Sequence, residues 1–122
     1  MIDVHYPAYE ICICRLIDQT ITSPDAEELR LRLLAEVKRG ATRLIIDLGQ
    51  VSRIDAGGIS ALFRVHTAMT GRGEVVLVGV SPALSEVLAV AHLDEVFAIA
   101  ADEAQAIARL GRDAAARVAR AG

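Results

Sequence analysis

The residues Asp55-Ala56-Gly57-Gly58 place a carboxylate ahead of three small side chains, just where an apolar run gives way to a helical pattern. The first N–H groups of a helix have no partner within it and form its positive end, and small side chains leave them open to close approach. One chemistry such a turn can support is an anion cradle. The surrounding residues speak against it, because there is no G-x-x-x-x-G-K-[ST] pattern, no adjacent lysine, and Asp55 would set a carboxylate beside the phosphate. The alternatives are that Asp55 caps the helix while the glycines ease a tight turn, or that the bare turn receives a docking partner.

Other reactive side chains do not assemble into a catalytic set. A nucleophilic mechanism requires a nucleophile, a base and a group that orients the base. Ser60 and His66 are six apart on one predicted helix and so face different ways, while His5 and His92 have no carboxylate partner by spacing. His66 reads as a core-edge residue. Cys12 and Cys14 alternate to the same face of a predicted strand, without the geometry of an ordinary disulfide, and read as core thiols. Three scattered histidines and two cysteines lack the paired spacing of a zinc site. No enzyme, metal or cofactor is expected.

The bulk properties narrow the partners. Thirteen basic against 16 acidic residues give a formal charge of -3, which offers no general attraction for nucleic acid. The arginine-rich end, with Arg109, Arg112, Arg117 and Arg120, reads as the solvated face of a helix. Charged residues make up 24% of the chain and interrupt every apolar run before the ~18 residues that a membrane span needs. The N-terminal residues do not have the pattern of a secretory signal, so a cytoplasmic protein without membrane insertion is expected.

The elements that position the turn follow from pattern and punctuation. Tyr9–Ile17 predicts a strand apolar on both faces, beside a short strand near Val4. Ser23-Pro24-Asp25 predicts a helix start, with Ala26, Leu29, Leu33, Leu34 and Val37 as its apolar face and Gly40 as its stop. Arg43–Leu48 predicts a central strand leading to the turn, and the helix after it has Ile59, Leu62, Phe63, His66 and Met69 on one face. Glu74–Gly79 predicts another buried strand and Ser81-Pro82 a third helix, followed by a short strand over Val96–Ile99. Asp102 and Gln105 have capping-box spacing before a last, Ala-rich helix. Strands alternating with helices imply an α/β fold, a mixed and mostly parallel sheet of four to five strands with about four helices, in a single domain over residues 1–122.

In order and spacing, Leu44-Ile45-Ile46-Asp47-Leu48, Ile54-Asp55-Ala56-Gly57-Gly58-Ile59, Val76-Leu77-Val78-Gly79-Val80-Ser81-Pro82, Leu88 and Leu93 resemble the STAS domain of anti-sigma factor antagonists. The resemblance covers about residues 8 to 111. It implies a non-catalytic module for partner switching, docked on an anti-sigma factor that is also a serine kinase, with the kinase releasing the contact by phosphorylating the second serine of an Asp-Ser-Ser-Gly turn. Here Ala56 and Gly57 stand at the two serine positions, and neither carries a hydroxyl. Ser60, one turn further along the helix, is the substitute acceptor to test, and Ser52 and Thr67 are less well placed. The implied contact surface is Asp55, Ala56, Gly57, Gly58 and Ser60, with Arg64 as a charged anchor. Asp18 falls near the polar binding edge of such domains, and Ser81-Pro82 matches their helix start. Other members serve in ABC-type lipid transporters or stress-sensing assemblies, and homodimerisation is left open.

Overall fold

The computed structural model describes residues 2–8 and 11–110. Two short strands begin it, β1 (Ile2–Ala8) and β2 (Ile11–Leu16), followed by a two-residue strand β3 (Thr20–Ile21) and the helix α1 (Ser23–Lys38). Then come β4 (Arg43–Asp47), a second two-residue strand β5 (Arg53–Ile54) and α2 (Ala56–Met69). The chain continues through β6 (Glu74–Val78), α3 (Pro82–Val90) and β7 (Ala98–Ala100), and residues 103–110 form a helix, α4, up to the last described position.

The main sheet has the order β1-β2-β4-β6-β7, with β1 antiparallel to β2 and every other pairing parallel. Its central strands are apolar on both faces because both faces are covered. Register explains how. Cys12, Leu44 and Val75 lie side by side, as do Cys14, Ile46 and Leu77, and all six belong to a core shared with Leu29, Leu33 and Val37 of α1, Leu62 and Val65 of α2, and Leu84 and Leu88 of α3. The alternate residues Ile11, Ile13, Ile45, Val76 and Val78 point to the opposite face, where Ala106 and Leu110 of α4 cover them. Three helices thus lie on one side and one on the other.

The predicted mixed sheet and helices are present, with local differences that have physical reasons. The strand expected from Tyr9 runs from Ile11, positions 9 and 10 lying outside the described residues, and the strand near Val4 extends to seven residues. Helix α1 starts at Ser23, but its N-cap is Thr22, whose hydroxyl donates to Asp25 Oδ2 (3.0 Å) and makes no side-chain cap bond to the backbone. Gly40, at φ 99°, takes the left-handed turn that ends the helix, as expected of a glycine there. The short strand predicted over Val96–Ile99 is shifted to Ala98–Ala100, because Phe97 turns into the larger core. Residues beyond 110 of the arginine-rich segment lie outside the described residues.

Helix α2 is rotated relative to the expected face. Its buried residues are Gly58, Ala61, Leu62, Val65 and Met69, while Phe63 is 47% exposed. Helices α1 and α2 lie side by side, and their close approach selects a small residue, Ala61, at the contact in place of the larger Phe63. His66 remains a core-edge residue, with its ring edge-on to Phe97 at 5.2 Å and stacked on Phe63 at 6.5 Å. Cys12 and Cys14 are free and fully buried, with sulfurs 3.7 Å apart, and the hydrogen bond with Cys12, together with burial, pushes the Cys14 thiol up.

One buried charge has no counterpart in the sequence reading. Glu36 is 7% exposed on α1, accepts a hydrogen bond from the Tyr6 hydroxyl of β1 and lies 3.7 Å from the Arg39 guanidinium. A buried carboxylate is costly unless hydrogen-bonded or paired, and here it has both kinds of partner. Among the described residues no helix is long and apolar enough to cross a membrane.

Candidate functional site

The chain between β4 and α2 is held from both ends. The Leu48 amide donates to Val78 O (2.9 Å), extending β4 beside β6, and the Gly49 amide donates to Asp47 Oδ1 (2.8 Å). Ser52 then donates to Gln19 O twice, from its amide at 2.8 Å and its hydroxyl at 3.1 Å. Strand β5 pairs in parallel with β3, joining Thr20 to Arg53 and Ile21 to Ile54, and the Asp55 amide donates to Ile21 O at 3.1 Å. The small β3–β5 sheet therefore fixes the point at which α2 begins.

Asp55 is the N-cap of α2. Its extended backbone places the carboxylate to accept from the Gly58 amide at 3.0 Å, while its carbonyl accepts the first helical bond from Ile59 at 3.0 Å. The capping alternative is thus realised. It also bears on the anion cradle, since the Asp55 carboxylate already occupies the position at which a phosphate would meet those amides. Ser81 and Asp102 cap in the same manner, accepting from Leu84 N at 3.2 Å and Gln105 N at 2.9 Å.

Gly58 is buried, and its lack of a side chain has a definite cause. A Cβ there would lie 2.5 Å from Ile54 Cγ1, 2.8 Å from Ile21 Cγ2 and 3.0 Å from Ile21 O. The first turn of α2 consequently rests directly on the β3–β5 strands. Ala56 is exposed and Gly57 half-buried, so the two positions without a hydroxyl present backbone to the outside.

Beyond the turn, Ala56, Ser60, Phe63, Arg64 and Thr67 form an exposed stripe along α2. Gly57, Ser60 and Arg64 face α1 across a shallow groove of about 200 Å³ that Glu27 and Arg30 also line. Glu27 and Arg30 form an ion pair, with Arg30 Nε 3.1 Å from Glu27 Oε2, and this hydrogen bond holds the Glu27 carboxyl below its usual range. Of the six predicted contact residues, Gly57, Ser60 and Arg64 line this groove, Ala56 is exposed beside it, Asp55 is the half-buried cap, and Gly58 is buried beneath the turn. Asp18 lies apart from it, in a separate cleft on the far side of Ile21. Ser52 and Thr67 spend their hydroxyls on backbone carbonyls, those of Gln19 and Phe63.

Phe63 was missed as a surface residue. Hydrophobicity assigned it to the core, yet its spacing of three from Ser60 and seven from Ala56 places it on the outer stripe. Among the described residues no group of three or more His, Cys, Asp and Glu side chains gathers as a metal site.

Comparison with known proteins identifies the family of the fold. A family model described as STAS domain matches residues 8–106. BtrV of Bordetella bronchiseptica, described as an anti-sigma factor antagonist, is 30% identical over 81 residues, covering 66% of this chain and 70% of that protein. An anti-sigma factor antagonist domain protein from Planctomyces limnophilus superposes with a TM-score of 0.80 at 24% identity, over 89% of this chain and 96% of the other. The Bacillus cell fate determinant SpoIIAA in its phosphorylated form superposes with a TM-score of 0.69 at 21% identity, over 89% and 98% of the two chains.

Proposed function

Because the chain belongs to the STAS domain family, we propose that it is a non-catalytic docking module that binds an anti-sigma factor with serine kinase activity through the start of α2. The observation that carries the reading is the capped, backbone-exposing turn Asp55-Ala56-Gly57-Gly58, continued by the outer stripe of α2. The likeness to proteins described as anti-sigma factor antagonists supports the class of partner. The module works in the cytoplasm and needs no cofactor.

A relative with this fold is described in a phosphorylated form. Phosphorylation adds nearly two negative charges and three acceptor oxygens at one point. Gly57 stands at the acceptor position of the family turn and has no hydroxyl to modify, so the docking is constitutive. Incubation of the chain with the kinase from its own genome and ATP, followed by mass spectrometry, tests this. Binding without phosphate transfer is expected, whereas Gly57→Ser gains a phosphate and loses the partner. Phosphate on Ser60 of the unaltered chain would refute constitutive docking, and absence of binding to any such kinase would refute the partner class.

A second reading keeps the module and changes its partner to a transporter or a stress-sensing assembly. It draws on a solved anion transporter, murine Slc26a9, which contains a region of this fold at 19% identity and a TM-score of 0.73 over 18% of its length. The genes neighbouring this one separate the readings, a kinase and sigma factor favouring the first and a permease the second.

A further inference from the structure

Strand β1 ends the main sheet, and among the described residues no strand lies beyond it. The outer side of such an edge presents a row of N–H and C=O groups and is a template for another strand. Proline and irregular register are two devices that blunt an edge. Here they are confined to one end, at Pro7 and between His5 and Ala8. Residues 2–5 keep a regular pairing with β2, and Tyr6 continues the strand.

The exposed edge has a symmetry of its own. Ile2-Asp3-Val4-His5-Tyr6 reads apolar, acidic, apolar, basic, apolar about Val4. Two antiparallel copies related by a two-fold axis at Val4 set Asp3 of each opposite His5 of the other, Ile2 opposite Tyr6, and Val4 opposite Val4. Opposed side chains in such a pair have Cβ atoms about 4.5–5.5 Å apart, within reach of an Asp–His hydrogen bond. Moving the axis to Asp3 opposes two carboxylates, and moving it to His5 opposes two imidazoles, so charge selects the Val4 register.

The surroundings allow it. Asp3 and His5 lie opposite Arg15 and Ile13 of β2, on the face that α4 covers, and both are exposed. Asp3 meets Arg15 at 3.8 Å, but the Arg15 fork is spent on both oxygens of Glu103 at 2.7 Å. A carboxylate accepts up to about four hydrogen bonds, and this one is 57% exposed, so it has room for a further donor. On the other face Ile2 and Val4 pack partly against the larger core, and Tyr6 is 45% exposed.

We infer that residues 2–6 of β1 are an interface for a second copy of this chain, paired antiparallel and symmetric about Val4, so that two five-stranded sheets become one. The association is closed, because each β1 edge is used up by the other and the opposite edge strand, β7, has only three residues. It uses no residue of the docking turn or of the groove between α1 and α2. The dimer therefore offers the docking surface twice, whichever partner that surface takes.

Sedimentation of the full chain over a rising concentration series is expected to show a monomer–dimer equilibrium. His5→Asp opposes carboxylates at two symmetric places and should weaken the dimer about tenfold. Adding Asp3→His restores opposite charges and should recover most of the affinity, with circular dichroism confirming the fold of each variant. Register is read by mixing Asp3→Cys with His5→Cys under mild oxidation. Both positions face away from the buried Cys12 and Cys14, and opposed positions lie within the reach of a disulfide. The mixed dimer keeps one Asp3–His5 pair intact, so the mixture should yield a cross-linked dimer and neither variant alone should. A chain that stays monomeric, a dimer indifferent to His5→Asp, or a mixture that links no better than either variant alone would overturn the assignment.

Discussion

Replacing Gly58 by alanine sets two effects of opposite sign against each other. In a helix interior alanine is favoured over glycine by about 1 kcal/mol, and propensity alone would predict a more stable protein. The added methyl, however, meets three atoms that give way poorly. Ile54 Cγ1 at 2.5 Å and Ile21 Cγ2 at 2.8 Å are both attached directly to a β-branched Cβ, so neither moves without a change of χ1 that branching makes costly. Ile21 O at 3.0 Å is backbone, fixed by the Asp55 amide. Overpacking of this kind costs about 1–3 kcal/mol, which exceeds the propensity gain and leaves a net loss of about 1 kcal/mol. For a chain of this length that corresponds to a fall of about 3–5 °C in Tm, and the urea midpoint should fall without a change in slope. Hydrogen exchange should quicken first at the amides of Gly58 and Ile59. Ile54→Ala removes the tightest clash, so the double variant should be less destabilised than the sum of the two by about 0.5 kcal/mol or more. A Gly58→Ala protein more stable than the parent, or strictly additive substitutions, would refute the account of how α2 is seated.

Asp55→Ala should cost about 1 kcal/mol through loss of the cap, whereas Asp55→Asn should retain most of it; equal losses in thermal unfolding would show that charge and not capping is at work. Phe63→Ala should leave stability within about 0.5 kcal/mol, since the ring is 47% exposed, and weaken partner binding about tenfold in a calorimetric titration. Glu103 supplies a pH test. The Arg15 fork, at 2.7 Å on both oxygens, and a hydrogen bond from Asp47 hold its carboxyl at about 2, below the ordinary value near 4.3. A depressed carboxyl contributes stability that is fully present above the unfolded value and lost as pH falls to the folded one. The stability of the parent should therefore fall as pH drops from about 4.3 to about 2, and Glu103→Gln should flatten that part of the profile. Asp47 works in the opposite sense, because burial and Glu103 raise its carboxyl and its contribution fades as pH rises.

The sequence was informative wherever one residue type answers one local need. Asp55, Ser81 and Asp102 announced three helix starts, and the apolar runs at Leu44 and Val75 announced strands covered on both sides. It was silent where the determining contact is distant. Strands β3 and β5 have two residues each, too few to show any period, and exist because Gln19 and Ile21 offer carbonyls to Ser52 and Asp55. The α2 face was misjudged because packing on β3 and β5 selects for smallness at Gly58 and packing beside α1 does so at Ala61, which a hydrophobic pattern does not register. The buried Glu36 depends on Tyr6, thirty positions away. The cap at Asp55 was legible in the sequence, but the burial of Gly58, the exposure of Phe63 and the cleft beside Asp18 required the fold.

The uneven distribution of helices also has a consequence during synthesis. Every strand of the main sheet has left the ribosome before residues 103–110, the only described helix on its second face. Until that segment emerges from the exit tunnel, Ile11, Ile13, Ile45, Val76 and Val78 form a bare apolar sheet surface that the nascent chain cannot cover from within its own earlier residues. Premature termination just after β7 would therefore yield a product with all its strands and an adhesive face, a substrate for chaperones and proteases and not a shortened working protein.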